Sequence, residues 1–199
     1  MDHTWEALDH INTMTRTHLW LRDFIVIFNS FCIDVTFYSL LIAYCYGRLK
    51  GHAGFLGLLI CSGSKTIMQE YFFVFEQPHG FNWYFPGIYS LCVPYHDISD
   101  FYFSGHISTG IVFTYMLRQM AREHRNDKHL SPLYEKAYHF WLYFKLPYIW
   151  LMMTMTRTHF FIDMSTGLAL AVLAVHAGEK LSYFFDVMVV GMKSTKRAF

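Results

Sequence analysis

Five runs of 17 to 23 mostly apolar residues fill half of this 199-residue chain: Phe24 to Tyr46, Gly54 to Phe75, Ser104 to Met120, Tyr138 to Thr154 and His159 to Ala177. About 20 such residues in a helix cross ~30 Å of hydrocarbon, so each run is expected to be a transmembrane helix. The last run can continue to about Val190, since only Gly178, Glu179 and Lys180 interrupt it. With 54% hydrophobic, 20% aromatic and only 16% charged residues, the chain is too apolar for an ordinary soluble domain. The expected fold is all-α: one integral membrane domain over 1–199, a polytopic bundle of about five transmembrane helices plus an N-terminal interfacial helix.

That interfacial helix is read over residues 1–22, where Trp5, Leu8, Ile11, Met14, Thr15 and His18 recur at helical spacing. A basic start followed by an apolar core is missing there, so the amino terminus is expected to be mature. Glu76 to Phe103 carries Pro78, Pro86, Pro94, Gly80, Gly87 and many aromatics, and is expected to pack as a cap at the membrane surface. Arg122 to Pro132 is the one obvious solvent loop. Cys32, Cys45, Cys61 and Cys92 share no close spacing and read as neither a zinc site nor a disulfide framework. A net charge of +1 without a basic, aromatic-laced stripe removes any electrostatic case for nucleic acid.

Span parity sets the sidedness. The helices starting at Ser104 and His159 begin at the same membrane face, so His106, His159 and Asp163 should meet there. Arg48, Lys50, Arg118, Arg122, Arg125, Lys128, Lys136, Lys180, Lys193, Lys196 and Arg197 fall at the other face, against Arg16, Arg22 and Arg157 at this one. Basic loops stay on the cytosolic or matrix side, so the histidine face is expected to look away from it, in an endomembrane or the mitochondrial inner membrane.

Two segments carry chemistry, Asp100-Phe101-Tyr102-Phe103-Ser104-Gly105-His106 and Thr156-Arg157-Thr158-His159-Phe160-Phe161-Ile162-Asp163. Positions i and i+4 share a helix face, so Asp163 can accept a hydrogen bond from His159 and leave the other ring nitrogen as a lone pair for attack on phosphorus. His106, at another helix start, can protonate a departing oxygen. Ser104, the amides of Gly105 and His106, and Arg157 suit the phosphate oxygens. Of the other histidines, His3, His10, His18, His52, His124, His129, His139 and His176 read as interfacial or surface groups, and His79 and His96 as parts of the cap.

The two segments resemble the second and third signatures of the type 2 phosphatidic acid phosphatase superfamily. In detail they are similar to its sphingomyelin synthase and phosphatidylcholine:diacylglycerol cholinephosphotransferase branch, over roughly residues 54–177. The resemblance implies His159 as nucleophile, Asp163 as its partner, His106 as acid to the leaving group, and a phospholipid headgroup as the transferred unit, with no metal or cofactor. The chain departs from the family in lacking an Arg-Pro downstream of Lys65, in having Met152-Met153 where a Ser-Arg pair is expected, and in having five spans instead of six. Its shortness supports a second expectation, a non-catalytic subunit of a larger membrane complex that keeps the fold. Lys65, Gln69 and Glu70 inside a span are expected to form a structural polar cluster, Asn29 and Asp34 to hydrogen-bond between helices, and Phe72, Phe73, Phe75, Phe81, Trp83, Tyr84 and Phe85 to form an interface belt.

Overall fold

The computed structural model describes residues 4–71, 79–95 and 103–189, and among these every regular element is helical. Two short helices, α1 (Thr4–Ala7) and α2 (Asp9–Thr17), precede α3 (Leu19–Cys45), α4 (Ala53–Tyr71) and α5 (Gly105–Glu123). The chain then forms α6 (Leu130–His139), a π-helical stretch Phe140–Lys145, and α7 (Leu146–Met155), continuous as one rod, before α8 (Phe161–Phe184) and a final π turn, Phe185–Val189. The five long helical rods coincide with the five apolar runs.

Two of them, α3 and α8, are long and apolar enough to cross a membrane. Both wear their large apolar side chains outward. On α3, Trp20, Phe24, Phe31, Val35, Tyr38 and Ile42 are exposed along one stripe, while the opposite side buries Arg22, Asn29 and Ser30 together with Val26, Ile33 and Leu40. Large apolar side chains turned outward along a helix of this length suit a hydrocarbon surround. On α8 the buried stripe is instead made of small residues, Gly167, Ala171, Ala174 and Gly178. They let backbones approach closely: a Cβ at Gly178 would overlap the carbonyl oxygen of Ala53 on α4, and one at Gly167 would lie 2.7 Å from the Ser104 carbonyl.

Interior hydrogen bonds join the rods. The Tyr115 hydroxyl on α5 donates to Glu179 on α8 at 2.9 Å, and Trp141 Nε1 donates to Thr36 on α3 at 3.0 Å. Lys145, fully buried at the end of the π stretch, donates to the side-chain and backbone oxygens of Asn29 at 2.7 and 3.3 Å, with the rings of Phe28 and Tyr148 beside its ammonium. Asn29 thus bridges helices as its place in an apolar run suggests. The π stretch is the kind of irregularity expected where a helix must turn one side chain onto a fixed partner.

The N-terminal stretch and the cap depart in detail from what their patterns suggest. Helix α3 starts at Leu19, inside the stretch read as interfacial, because Arg22 and Asp23 neutralise each other at 2.5 to 2.9 Å and the guanidinium lies 5.7 Å from the Tyr84 ring centre. Helix α2 buries Asn12 and Thr15 against protein and leaves Met14, and His18 just past its end, exposed. The described part of the cap, residues 79–95, is a wedge that reaches the middle of α3. There the Asp34 carboxylate accepts from the Ser90 hydroxyl (2.8 Å) and the backbone N–H of Leu91 (3.1 Å) and Cys92 (2.9 Å). An acid within an apolar helix and a loop with unmade backbone bonds satisfy each other. Phe72, Phe73, Phe75 and His96, like the side chains of Gln69 and Glu70, lie outside the described residues.

Candidate active site

The turn between α7 and α8 sets the position of His159. After Met155 the helix closes as a Schellman motif: the Thr158 N–H donates to the Met153 carbonyl (3.1 Å) and the Arg157 N–H to that of Thr154 (3.3 Å). Arg157 occupies the left-handed position of this motif, with φ of 51°, where glycine is usual. A non-glycine residue there carries about 1 kcal/mol of strain, so something other than backbone geometry favours the arginine. Its side chain supplies the reason. The guanidinium is tied to Asp9 on α2 at 2.5 Å and donates to the His79 carbonyl at 3.0 Å. Gly80, itself at φ of 82°, leaves the room: a Cβ there would lie 2.9 Å from Arg157 Nη1 and from Asn12 Oδ1. Asn12 completes the clamp by donating to the carbonyls of Gly80 (3.2 Å) and Met155 (2.8 Å). Arg157 therefore locks the N-terminal helix and the wedge onto the turn that carries His159.

This role can be tested apart from the backbone. Arg157→Gly removes the left-handed strain and would raise stability by about 1 kcal/mol if the side chain were idle. Instead, the variant is expected to lose amide protection across residues 9–17, because the clamp on α2 is gone. Unchanged hydrogen exchange in α2 together with a gain in stability would show that the guanidinium holds nothing.

Helix α5 brings the second histidine. Ser104 caps it, its hydroxyl accepting from the Ile107 N–H at 3.4 Å, and its own N–H donates to the Asp163 carbonyl at 3.0 Å. Gly167 lies directly beneath Ser104, so the start of α5 sits against the first turns of α8 with no side chain between them. The His106 and His159 rings consequently stand 6.4 Å apart, centre to centre, at 66°. His159 Nδ1 is 3.6 Å from Asp163 Oδ2, and both side chains are 1% exposed. That separation lies beyond a hydrogen bond, in contrast to the contact expected from the i, i+4 spacing. The same oxygen, Oδ2, accepts the Phe160 N–H at 2.8 Å, and this cap on α8 holds the carboxylate just short of the ring. Among the described residues, His159 Nδ1 and both ring nitrogens of His106 are buried without a hydrogen-bond partner.

A cavity of about 370 Å³ opens between α3, α4, α5 and the wedge, with Gly105 and His106 in its wall. Its walls are mainly apolar, among them Ile33, Phe37, Leu58, Val93, Phe103 and Phe113, and its mouth is marked by the exposed Ser62, Tyr38 and Leu91. Lys65 lines it, so this residue, expected to belong to a structural cluster, faces the same space as His106. Ser104, Arg157, His159 and Asp163 are not part of the wall. Of the groups expected to hold phosphate, Gly105 borders the cavity, Ser104 is a buried helix cap, and Arg157 serves the clamp.

Trp83, read as part of an interface belt, is 2% exposed and packs edge-on against His106 at 5.2 Å. Its indole donates to the Pro94 carbonyl at 3.4 Å. Nothing in the aromatic run separates it from the exposed Tyr84; only the path of the wedge does so. Cys92 also borders the cavity, but burial and the neighbouring Asp34 push its thiol up to about 12, which leaves it protonated and a poor nucleophile. The cavity wall therefore holds one imidazole and one ammonium, His106 and Lys65, and behind His106 lie a second imidazole and a carboxylate, His159 and Asp163, a set suited to moving a group between oxygen and nitrogen. Compared with protein-family models, with curated proteins and with solved structures, the chain matches none of them.

Proposed function

We propose that this chain is an integral membrane lipid phosphotransferase, working through a phosphohistidine, in which the five long helical rods cross the bilayer and the histidine end faces away from the cytosol or matrix. The observation that carries this reading is the pairing of His106 and His159 from separate helices at 6.4 Å, with His106 in the wall of a cavity whose apolar lining suits acyl chains. In the proposed first step a lone pair on His159 attacks the phosphorus of a phospholipid. The bond from phosphorus to the glycerol oxygen breaks, and His106 gives that oxygen its proton. In the second step an acceptor hydroxyl, of a lipid or of water, yields its proton to His106 and attacks phosphorus, and the P–N bond breaks. Asp163, a few tenths of an ångström from hydrogen-bond distance, favours the imidazolium as charge develops; catalytic hydrogen bonds commonly tighten on substrate binding. Lys65 is the cation nearest at hand for the phosphate oxygens.

The test is direct detection of the intermediate. Detergent-purified protein given phosphatidylcholine labelled at phosphorus and quenched in alkali is expected to retain label that acid removes, the behaviour of an N-phosphoryl bond. Folded protein that never takes up label from any phospholipid would remove the enzymatic reading.

A second reading, a non-catalytic subunit of a larger membrane complex, draws on the near-complete burial of His159 and Asp163 and on Asp163 serving as a helix cap. Under it the histidine pair is a packing contact, no label is taken up, and the chain migrates with a large complex in mild detergent.

A further inference from the structure

Toward the far end of α5 from His106, about 18 and 24 Å along the helix, Arg118 and Arg122 turn with Arg125, just past its end, toward a second cavity of about 280 Å³ shared with α6. Glu135, Tyr138 and His139 of α6 face it from the other side. A cation in the last turn is favoured by the helix dipole, which accounts for Arg122. It does not account for Arg118, a turn earlier, or Arg125, past the helix end. Arg118 and Arg122 stand four residues apart, where like charges repel, so helix stability alone disfavours the set. Among the described residues none of the three guanidiniums pairs with a carboxylate. Arg118 instead lies over the Tyr138 ring at 5.9 Å, an arrangement that holds its donor fork in place without using it.

Three unpaired guanidiniums around one concave space, facing a single carboxylate, form an anion site with excess positive charge. We propose that this pocket binds a phosphate-bearing anion of headgroup size, either the headgroup of an acidic phospholipid or a free phosphate compound. Arginine forks match phosphate oxygens in bidentate geometry, and basic pockets between helices at a membrane boundary are suited to acidic headgroups. The site is separate from the histidine pair and stands whether or not the chain is an enzyme.

The full chain, purified in detergent, is offered an equimolar mixture of phosphatidic acid and phosphatidylcholine and examined by native mass spectrometry, with inorganic pyrophosphate as competitor. One acidic lipid retained at least ten-fold in preference, and displaced by pyrophosphate, identifies a lipid headgroup as occupant. Pyrophosphate bound without retained lipid identifies the free compound. In either case the triple variant R118Q/R122Q/R125Q is expected to lose the binding, while K128Q/K180Q, which removes charge elsewhere, keeps it. The triple Arg→Lys variant, with the same charge but no fork, is expected to fall at least several-fold. No binding of either probe, equal loss in the K128Q/K180Q control, or full retention by the lysine variant would overturn the site.

Discussion

Protein carrying His159→Ala is expected to transfer no headgroup from labelled phospholipid and to take up no label itself, because the attacking nitrogen is gone. His106→Ala is expected to lower turnover about 10²–10⁴-fold, the usual effect of losing a general acid, while a slowly formed label on His159 persists. The difference between the variants is the informative part, since it assigns nucleophile and acid to rings only 6.4 Å apart. If label persists with His159→Ala and vanishes with His106→Ala, the roles are exchanged, and the cavity wall would explain it, because His106 is the ring that borders it. His159 is 1% exposed, so its removal also leaves a hole; His159→Gln, closer in size and still polar, serves as the control for folding. Undiminished transfer by both alanine variants would leave the pair with a packing role only.

The second large effect is expected in the bundle interior. Asn29→Leu removes the side-chain oxygen 2.7 Å from the buried Lys145 ammonium and leaves that charge with a backbone carbonyl and two ring faces. Orphaning a buried charge costs about 3 kcal/mol or more, roughly 6–12 °C in Tm for a chain of this size. Lys145→Met should cost less, because the longest apolar side chain fills the same space and leaves only a neutral amide unpaired. The double variant N29L/K145M, with no polar group left, is expected to be more stable than N29L alone. Thermal unfolding in one detergent measures all three, and strictly additive losses would show that the two residues do not act as a pair.

The helices and their order were legible in the sequence because an apolar run of 17 to 23 residues has few other ways to satisfy its backbone. Accordingly α3, α4, α5, the rod from Leu130 to Met155, and α8 lie on the five runs. The meeting of His106 with His159 was legible too, since parity alone brings the start of α5 and the start of α8 to the same end. Partner choice was not legible. Spacing says that Asp163 can reach His159, yet the Phe160 N–H is nearer, and the carboxylate goes to the unmade bond of its own helix start. Sequence position makes Arg157 a phosphate ligand beside His159, yet a left-handed turn and the gap at Gly80 send it to Asp9 and His79. Composition puts Trp83 and Tyr84 in one aromatic belt, yet Asp34 draws the wedge along α3 so that one is buried against His106 and the other is exposed. Hydropathy and periodicity, which the sequence carries by itself, determine where helices run and which ends they share. Which donor an acid finally meets depends on differences of an ångström between competing groups far apart in the chain, and only the packed tertiary structure decides among them.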